Sequence, residues 1–266
     1  MSRTTGTWNT KGMWAAGVVL AAVVGLTSYV ALSGNGGGSD TGGKGSARPS
    51  VSASASPGPT YTVPSDWTEP NRWAALPRGA KTDKYGSQVS FPHTTEGAVA
   101  AIVAAQSTDI EGDKTTLTEQ LRVYHSYIAA GDHSDKALKA VEQKAKQSDT
   151  ELHQQMGSGS GESAFPPGAY LRTTVVGYKI IKQSADEVGV WLLSRVAQKD
   201  GETEKEEVTL TRSVAGLRWE DSDWKLSVEA TLAAQQQTDG QPEPAGAAPG
   251  DAKFNAAGWT AIRAAS

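Results

Sequence analysis

Residues 188–228 read VGVWLLSRVAQKDGETEKEEVTLTRSVAGLRWEDSDWKLSV, and this stretch decides the fold. Its first part is largely apolar on both faces, which predicts a strand in the middle of a sheet. The Asp200-Gly201 pair suits a hairpin connection, and Gly216 is expected to mark a bulge in the strand that follows. Residues 170–181 are rich in β-branched and aromatic residues and add one more strand, so the chain predicts an antiparallel meander of strands.

Helical patterns occupy the chain before these strands. Thr94 or Thr95 can cap a first helix, which is expected to carry Ile110 on its apolar face. A second helix is expected to end at Gly131, and Ser134 can cap a third whose apolar residues step by three or four. Three helices followed by an antiparallel meander indicate an α+β domain with the helices on one face of the sheet.

The predicted order of elements is typical of the cone-shaped nuclear-transport-factor-2-like fold, in which three helices precede a curved antiparallel sheet. The closing hairpin, residues 219–226, is also typical of that fold class. Because such cones often hold a pocket, four aromatic residues are candidates to line one: Tyr124, Tyr178, Trp191 and Trp219. The alternative is that these rings are ordinary core between helices and sheet, where aromatic side chains bury much area.

The N-terminal region contains a predicted membrane anchor. Met13–Leu32, MWAAGVVLAAVVGLTSYVAL, carries no charge and is about 20 residues long, enough for a helix to cross a hydrocarbon core of roughly 30 Å. Arg3 and Lys11 precede it, so the positive-inside rule places residues 1–12 in the cytoplasm and the C-terminal domain outside. A cleaved secretory signal is the alternative, since Ala31-Leu32-Ser33 offers small residues at a cleavage site.

One face of the predicted transmembrane helix carries small residues four apart: Gly17, Ala21 and Gly25. Small residues at this spacing let two membrane helices approach closely, so this face predicts helix packing and self-association in the bilayer. The alternative interpretation is that Gly and Ala are simply common in membrane helices.

Composition divides the rest of the chain into three parts. Residues 33–66 are rich in Gly, Ser, Ala and Pro and cannot bury enough apolar surface to fold, so they predict a disordered linker. Residues 67–232 hold the helical and strand patterns and form the predicted extracytoplasmic domain. Residues 233–266 form a polar tail that ends in a short helix docked on the domain, unless that end is frayed. The apolar stripe of this short helix is Phe254, Trp259 and Ile262.

Composition also limits the chemistry. The chain has 266 residues, a formal net charge of −4 and no cysteine. A general nucleic-acid-binding surface is therefore not expected, and thiol catalysis, thiolate metal sites and disulfides are excluded. The sequence lacks a phosphate-binding loop, a dinucleotide fingerprint and a nucleophile elbow, so we predict no catalytic residue, no cofactor and no enzymatic activity.

The four histidines do not indicate a metal site. No two of them are three to five residues apart, which is the spacing of a compact helical metal pair, so we predict no metal. His93 is expected at the surface or in a helix cap, and His125 is expected to be half-buried and structural. His133 and His153 are expected to be solvated.

Several blocks of sequence carry a family resemblance. They are WAALP at 73–77, FPHT at 91–94 with EGAV at 96–99, PPGAY at 166–170 and the hairpin at 219–226. Together they resemble a family of actinobacterial single-pass membrane proteins of unassigned function, some of which are encoded with conjugative elements. The layout is also similar to that of the bitopic scaffold proteins of type IV secretion systems, a likeness of architecture alone.

The resemblance and the layout imply a role in assembly. We expect a membrane-anchored extracytoplasmic structural protein, a scaffold subunit of a conjugative or secretion complex. Its expected partners are the lipid bilayer, further copies of itself and envelope-complex proteins. The alternative is a surface-displayed module that binds a small molecule or a peptide in the pocket of the cone.

Overall fold

The computed structural model describes residues 66–156 and 164–263. The predicted cytoplasmic stub, the anchor Met13–Leu32 and nearly all of the linker at 33–66 lie outside these residues. So do the three residues of the predicted membrane-packing face, Gly17, Ala21 and Gly25. Across the two described ranges, none of the helices combines the length and the apolar character needed to cross a membrane.

The described residues form nine strands and five α-helices, which we number in chain order. The first part contains β1 (Trp73–Ala74), β2 (Lys81–Thr82), β3 (Gln88–Val89), α1 (Thr95–Gln106), β4 (Thr108–Glu111), α2 (Thr116–Tyr127), a 3-10 turn (Ala130–Asp132) and α3 (Asp135–Gln155). The second part contains β5 (Tyr170–Gln183), β6 (Glu187–Lys199), β7 (Glu207–Glu220), β8 (Asp223–Leu226), α4 (Val228–Thr238), α5 (Ala252–Ala256) and β9 (Thr260–Ile262).

The main sheet is mixed, and the domain is α+β, as predicted. Its strand order is β1-β9-β5-β6-β7-β8, and β4 also pairs with β5, while β2 and β3 form a separate hairpin. The meander β5 to β8 is antiparallel throughout. The prediction of a purely antiparallel sheet is wrong at one edge, because β9 arrives from the C-terminal end of the chain and runs parallel to β1.

The starts of α1 and α3 agree with the predicted caps at Thr94 and Ser134. The side chains of these two residues, and that of Thr115 before α2, each accept a hydrogen bond from a backbone amide of the first turn, which satisfies a donor that the helix itself leaves unpaired. The predicted helix ends are less accurate. In particular, α2 ends at Tyr127, and the predicted end, Gly131, lies within the 3-10 turn that follows.

The first helix is shorter than predicted, and its expected apolar residue Ile110 lies in a strand. Helix α1 ends at Gln106, and β4 begins two residues later and pairs antiparallel with β5. Ile110 is buried beside Leu152 and Leu171. The physical reason is the alternation of β-branched and acidic residues over Thr108–Glu111, which fits a strand with one buried face better than a helical turn.

The sheet is covered on both faces, so the prediction of helices on one face is wrong. On one face, Val190 and Leu192 of β6 pack in the cluster that also holds Val99 and Ile102 of α1. Side chains of a strand alternate between faces, and on the opposite face Leu193 packs in the cluster of the C-terminal segment. Strand β6, predicted to be central because both its faces are apolar, does lie between β5 and β7.

The C-terminal segment covers the second face, where it meets three glycines of the strands. An added Cβ at Gly216 would lie 2.2 Å from the carbonyl carbon of Ala230 in α4, and one at Gly189 would lie 2.7 Å from the Ala234 Cβ. An added Cβ at Gly177 would lie 3.0 Å from the ring of Phe254. Gly216 is therefore a packing site and not the predicted bulge, because the β6–β7 register continues unbroken past it.

The predicted C-terminal helix is partly present. Phe254 lies on α5 and is fully buried, but Trp259 follows the helix, and Ile262 belongs to strand β9. The indole nitrogen of Trp259 donates to the Ala245 carbonyl oxygen over 2.8 Å. Residues 254–262 are thus an integral part of the sheet and its core. At the other end of the domain, the Thr68 amide donates to the Gly250 carbonyl oxygen over 2.7 Å.

Candidate functional site

The main sheet has a notch in one edge of β5. Residues 170–173 of β5 pair with β4, and Gly177 and Tyr178 pair with β9 on the same edge. Between them, Thr174–Val176 have no partner strand on that edge within the described part of the chain. A β-bulge between Val175 and Gly177 bends the strand at this point. An unpaired edge presents backbone amide and carbonyl groups that can pair with another chain.

An apolar concavity of about 600 Å³ opens at the β9 side of this notch. Its walls come from the segment after β1, the C-terminal half of α1, the bulged part of β5 and the end of β9. The lining side chains are mostly aliphatic or aromatic, with two arginines. The principal ones are Leu76, Arg78, Phe91, Ala100, Val103, Val175, Ile262 and Arg263.

A polar concavity of about 540 Å³ adjoins it on the β4 side. Its lining side chains carry hydroxyls and charges: Ser87, Ser107, Thr108, Asp109, Glu119, Arg122, Tyr127, Arg172 and Thr173. Four residues line both concavities: Gln88, Ala104, Ser107 and Thr174. The two therefore form one continuous depression across the notch, which we call the edge groove, with an apolar half and a polar half.

Arg122 of α2 is held in place in the polar half. Its Nε donates to Glu119 Oε2 over 3.0 Å, and its terminal nitrogens donate to Ser87 Oγ over 3.1 Å and to the Ser107 carbonyl oxygen over 3.3 Å. Only 17% of the side chain is exposed. These contacts hold the guanidinium in one orientation, so its remaining N–H donors point in one fixed direction.

The Tyr127 phenol lies beside Arg122. Its hydroxyl donates to the Gln88 carbonyl oxygen over 2.9 Å, which ties α2 to β3. Burial raises the pKa of this phenol, and the Asp83 carboxylate adds to the rise, against the opposing effect of Ser87 and Arg122. The group therefore remains a neutral hydroxyl at physiological pH, and it serves as a hydrogen-bonding wall of the groove.

Two threonine hydroxyls in the polar half lack partners. Thr108 of β4 lies directly opposite Thr173 of β5. Neither Oγ1 atom has a hydrogen-bond partner in the part of the chain that the structure describes, and both atoms are buried. Buried polar groups are normally paired, so these two hydroxyls are exceptions, and because both oxygen atoms are buried a ligand in the groove would reach them only if the wall moved.

The charges of the edge groove differ from those of the whole chain. Two arginines, Arg78 and Arg263, line the apolar half, and no carboxylate is among the residues that line it. The polar half adds Arg122 and Arg172, which are paired with carboxylates of Glu119, Asp109 and Glu111. The chain as a whole has a net charge of −4. The arginines of the polar half are therefore balanced by carboxylates, and the charged side chains that line the apolar half are both basic.

The four aromatic residues predicted to line a pocket do not meet in the edge groove. Tyr124 and Tyr178 are buried in the cluster beneath α1 and α2, and Trp219 packs against the same cluster. Trp191 packs on the other face of the sheet with Leu193. The structure therefore brings three of the four to one side of the sheet, and none of them lines either half of the groove.

The histidines are mostly superficial, with one exception. His93 is exposed, lies 2.9 Å from Asp186 Oδ1 and stacks on Trp219 at 4.0 Å between ring centroids. His133 is exposed, as predicted, and so is His125, which was expected to be half-buried. The prediction for His153 is wrong: it is 7% exposed, because the ring of Phe165 stacks on it.

Acidic and histidine side chains do not form a metal site in the described ranges, where no group of three or more lies close enough to hold an ion.

The edge groove itself was missed by sequence reasoning. The strand pattern at 170–181 runs through Thr174–Val176 without interruption, so it gives no sign that one edge is open there. The sequence signal that could have revealed the groove is the strand-like alternation of Thr108–Glu111. A strand this short can pair with only part of β5.

Comparison with known protein families gives one match. Residues 46–249, about three quarters of the chain, match a family described as a domain of unknown function, DUF8175. No curated protein matches the chain. No solved structure matches it.

Proposed function

We propose that this chain, which belongs to the DUF8175 family of domains of unknown function, is a membrane-anchored extracytoplasmic assembly protein that holds another envelope protein in its edge groove. The observation that carries the proposal is the apolar half of the edge groove, which is lined mostly by apolar side chains with two arginines and lies beside the unpaired residues Thr174–Val176 of β5. Such a combination suits recognition of another polypeptide.

The chemistry of the groove favours binding over catalysis. Its arginines are oriented by ion pairs and hydrogen bonds, and Tyr127 is a neutral donor whose pKa burial raises. A general acid–base catalyst needs a group that titrates near the working pH and lies within reach of a substrate. The lining residues of the groove include no histidine. We therefore propose a non-enzymatic role.

The proposed location and the proposed complex are inferred from the sequence. Met13–Leu32 would act as a single membrane span, with residues 1–12 in the cytoplasm and the domain held outside by the linker at 33–66. Self-association through Gly17, Ala21 and Gly25 would bring several domains together. The resemblance to actinobacterial membrane proteins and to type IV secretion scaffolds makes a conjugative or secretion complex the proposed setting.

The order of the helices and strands supports a proposal about the fold class. We propose that the domain is a variant of the nuclear-transport-factor-2-like cone, with the C-terminal segment as an additional layer. The three helices before a long antiparallel meander support this proposal, and so do the two bulges that bend β5.

Co-purification tests the assembly role. The full-length chain is cross-linked in its native membrane, extracted in detergent and analysed for partners and for oligomeric state. We expect envelope proteins in the cross-linked complex, and we expect the variant Ala104→Phe, which fills the middle of the groove, to lose them. The matched control is Thr150→Phe, at an exposed position on α3. A strictly monomeric protein without envelope partners would contradict the proposal.

A second candidate function is a surface-displayed module that binds a small molecule. The apolar half alone has about 600 Å³, which lies within the usual range of roughly 300–1,000 Å³ for ligand sites. Its two arginines would favour an amphipathic anion. This candidate would be favoured over the assembly role if a medium-chain carboxylate such as octanoate bound saturably and as tightly as any peptide.

A further inference from the structure

We infer that the outer edge of β7, the edge away from β6, pairs antiparallel with the same edge of a second copy of this chain, so that two domains share one continuous sheet. The inference does not depend on the edge groove, and it adds a contact between the domains to the self-association proposed for the membrane segment. It is carried by three observations: a long strand edge without partners, the lack of features that would protect this edge, and a register in which two copies complement each other.

Strand β7 has an open outer edge over most of its length. Its inner edge pairs with β6 without a break from residue 207 to residue 218, whereas β8 covers the outer edge only at residues 217–220. The Gly216 amide donates to Thr231 Oγ1 and the Gly216 carbonyl oxygen accepts from the Ser227 amide, so both groups point to the outer edge. Alternate residues of a strand point their backbone groups to the same edge, so four further residues also point there. They are Val208, Leu210, Arg212 and Val214.

Within the described ranges, these four residues lack a backbone partner on the outer edge, and the neighbouring segments are held on the second face of the sheet. The segment after α4 lies over that face, where Arg212 Nη1 donates to the Pro244 carbonyl oxygen over 3.0 Å. The connection between β6 and β7 also folds over it, since Glu206 accepts hydrogen bonds from Tyr170 of β5 and Arg195 of β6. A partner strand can therefore approach β7 along its outer edge over about 20 Å.

The outer edge lacks the features by which proteins keep strand edges apart. Such features are a proline, a lysine, an inward-pointing charge or a bulge. Residues 208–214, VTLTRSV, contain no proline and no lysine, and the β6–β7 register has no bulge. Their one charged side chain, Arg212, is held over the second face, where it also pairs with Glu243 over 3.2 Å. An unprotected edge of this length is a surface for pairing with another strand.

One register pairs all four residues of the outer edge. An antiparallel pair with its two-fold axis at Thr211 places Val208 opposite Val214 of the second copy, and Leu210 opposite Arg212. Each of these pairs would exchange two backbone hydrogen bonds. With the axis at Arg212, the two copies would oppose like charges, which destabilises a strand pair. With the axis at Leu210, Val214 would lie opposite a residue that precedes the strand.

The side chains between these residues also match. Thr209, Thr211 and Ser213 point to the opposite face of the sheet from Leu210. With the axis at Thr211, that residue meets its own copy, and Thr209 meets Ser213, pairs of hydroxyl side chains that stabilise antiparallel strands. A second copy therefore satisfies the backbone and the side chains of this edge together, and two associated membrane anchors would raise the effective concentration at which the edges meet.

Cysteine cross-linking tests the inference, because the chain has no cysteine of its own. Thr211→Cys is introduced into the full-length chain in detergent micelles, and disulfide formation is followed under mild oxidation. Opposite residues of a non-hydrogen-bonded pair have Cα atoms about 4.5 Å apart, a distance that a disulfide can span. We expect a covalent dimer to form at least tenfold faster than from the control Thr150→Cys, at an exposed position on α3.

Two further variants test the register. Thr209→Cys alone and Ser213→Cys alone should each cross-link at least tenfold more slowly than Thr211→Cys, because neither residue faces its own copy. A mixture of these two variants should form the mixed dimer instead. Equal cross-linking of all single variants would overturn the inference, since chance collisions would then account for the dimers.

A proline separates pairing of the edge from folding of the domain. The Val208 amide points to the outer edge, so Val208→Pro removes a donor that only the second copy would use. Combined with Thr211→Cys, it should slow cross-linking at least tenfold and leave the urea midpoint unchanged. The matched control, Thr209→Pro, removes a bond to β6 and should lower the midpoint. Cross-linking at an unchanged rate in the Val208→Pro variant would contradict the inferred pairing.

The outcome is separable from that of the proposed function. A Thr211 cross-link without envelope partners on co-purification would support this inference and contradict the assembly role. Recovery of envelope partners by a chain that does not cross-link at Thr211 would support the assembly role and overturn the pairing of β7 with its own copy, whether the edge is then free or covered by another protein.

Discussion

Replacement of Gly216 by alanine should be among the most damaging small changes in this domain. The added Cβ would lie 2.2 Å from the Ala230 carbonyl carbon and 2.4 Å from both the Ala230 oxygen and the Thr231 nitrogen. These are backbone atoms of α4, so no side chain can rotate away. Ordinary contact needs roughly 3.4–4 Å, and the helix would therefore have to move by more than about 1 Å.

The cost of that movement can be worked out from the contacts at this position. Overpacking of a core typically costs about 1–3 kcal/mol. The displaced helix would also lose the 2.9 Å hydrogen bond from the Gly216 amide to Thr231 Oγ1, and an unpaired buried donor costs about 1–3 kcal/mol. Alanine gains roughly 0.5–1 kcal/mol over glycine in a strand. We therefore expect a net loss of about 1–5 kcal/mol, a large part of the stability of an ordinary domain.

Urea unfolding followed by tryptophan fluorescence measures this loss, since Trp224 and Trp259 are each only 1% exposed. Two glycines provide graded controls. Gly131→Ala meets nothing within 4 Å and should be neutral or slightly stabilising, while Gly177→Ala presses on the Phe254 ring at 3.0 Å and should cost about 1 kcal/mol. The reasoning is refuted if Gly216→Ala unfolds at the wild-type urea concentration, or if Gly131→Ala is as damaging.

Three further changes test other parts of the structure. Phe254→Ala should cost about 3–5 kcal/mol in urea unfolding, because the ring is fully buried; a cost below about 1 kcal/mol would indicate that the C-terminal segment is not part of the core. Ser134→Ala should cost about 1 kcal/mol through loss of the cap of α3, whereas Ser134→Asp should retain most of it. Hydrogen bonds from Tyr170 and Arg195 lower the pKa of Glu206, so its stabilising contribution is complete above its ordinary pKa and is lost as the pH falls through the lowered value. The loss of urea midpoint caused by Glu206→Gln should therefore be largest at pH 7 and should shrink as the pH falls below the ordinary pKa of a glutamate, and a loss that does not change with pH would contradict the ion pair.

The long elements could be predicted from the sequence because their signals are local. The caps at Thr115 and Ser134 precede clear helical patterns, and the apolar faces of β6 lie on consecutive residues of one strand. For the same reason α3 and the meander were predicted within a few residues. A local pattern of this length outweighs weak propensities at single positions.

The failures come from contacts between distant parts of the chain. Nothing near Thr260–Ile262 indicates a strand, because its partners, β1 and β5, lie far away in sequence. Gly216 was interpreted as a bulge because a glycine in a strand is consistent with either a bulge or a close approach, and only the position of α4 decides between them. The edge groove depends on the same missing information, since the notch exists only where β4 and β9 both stop.

The position of β9 also determines when the domain can complete its fold. It is the last strand among the described residues, yet it lies between β1 and β5 inside the sheet. A chain that emerges from N- to C-terminus therefore cannot close this sheet until Ile262 has been delivered, and until then β1 lacks the strand with which it pairs in the described part of the chain. Pairing over such sequence separations is slow. If the domain crosses a membrane during synthesis, this late closure of the sheet would keep the chain unfolded during translocation. A chain whose synthesis stops early would lack a complete core and would be degraded by proteases.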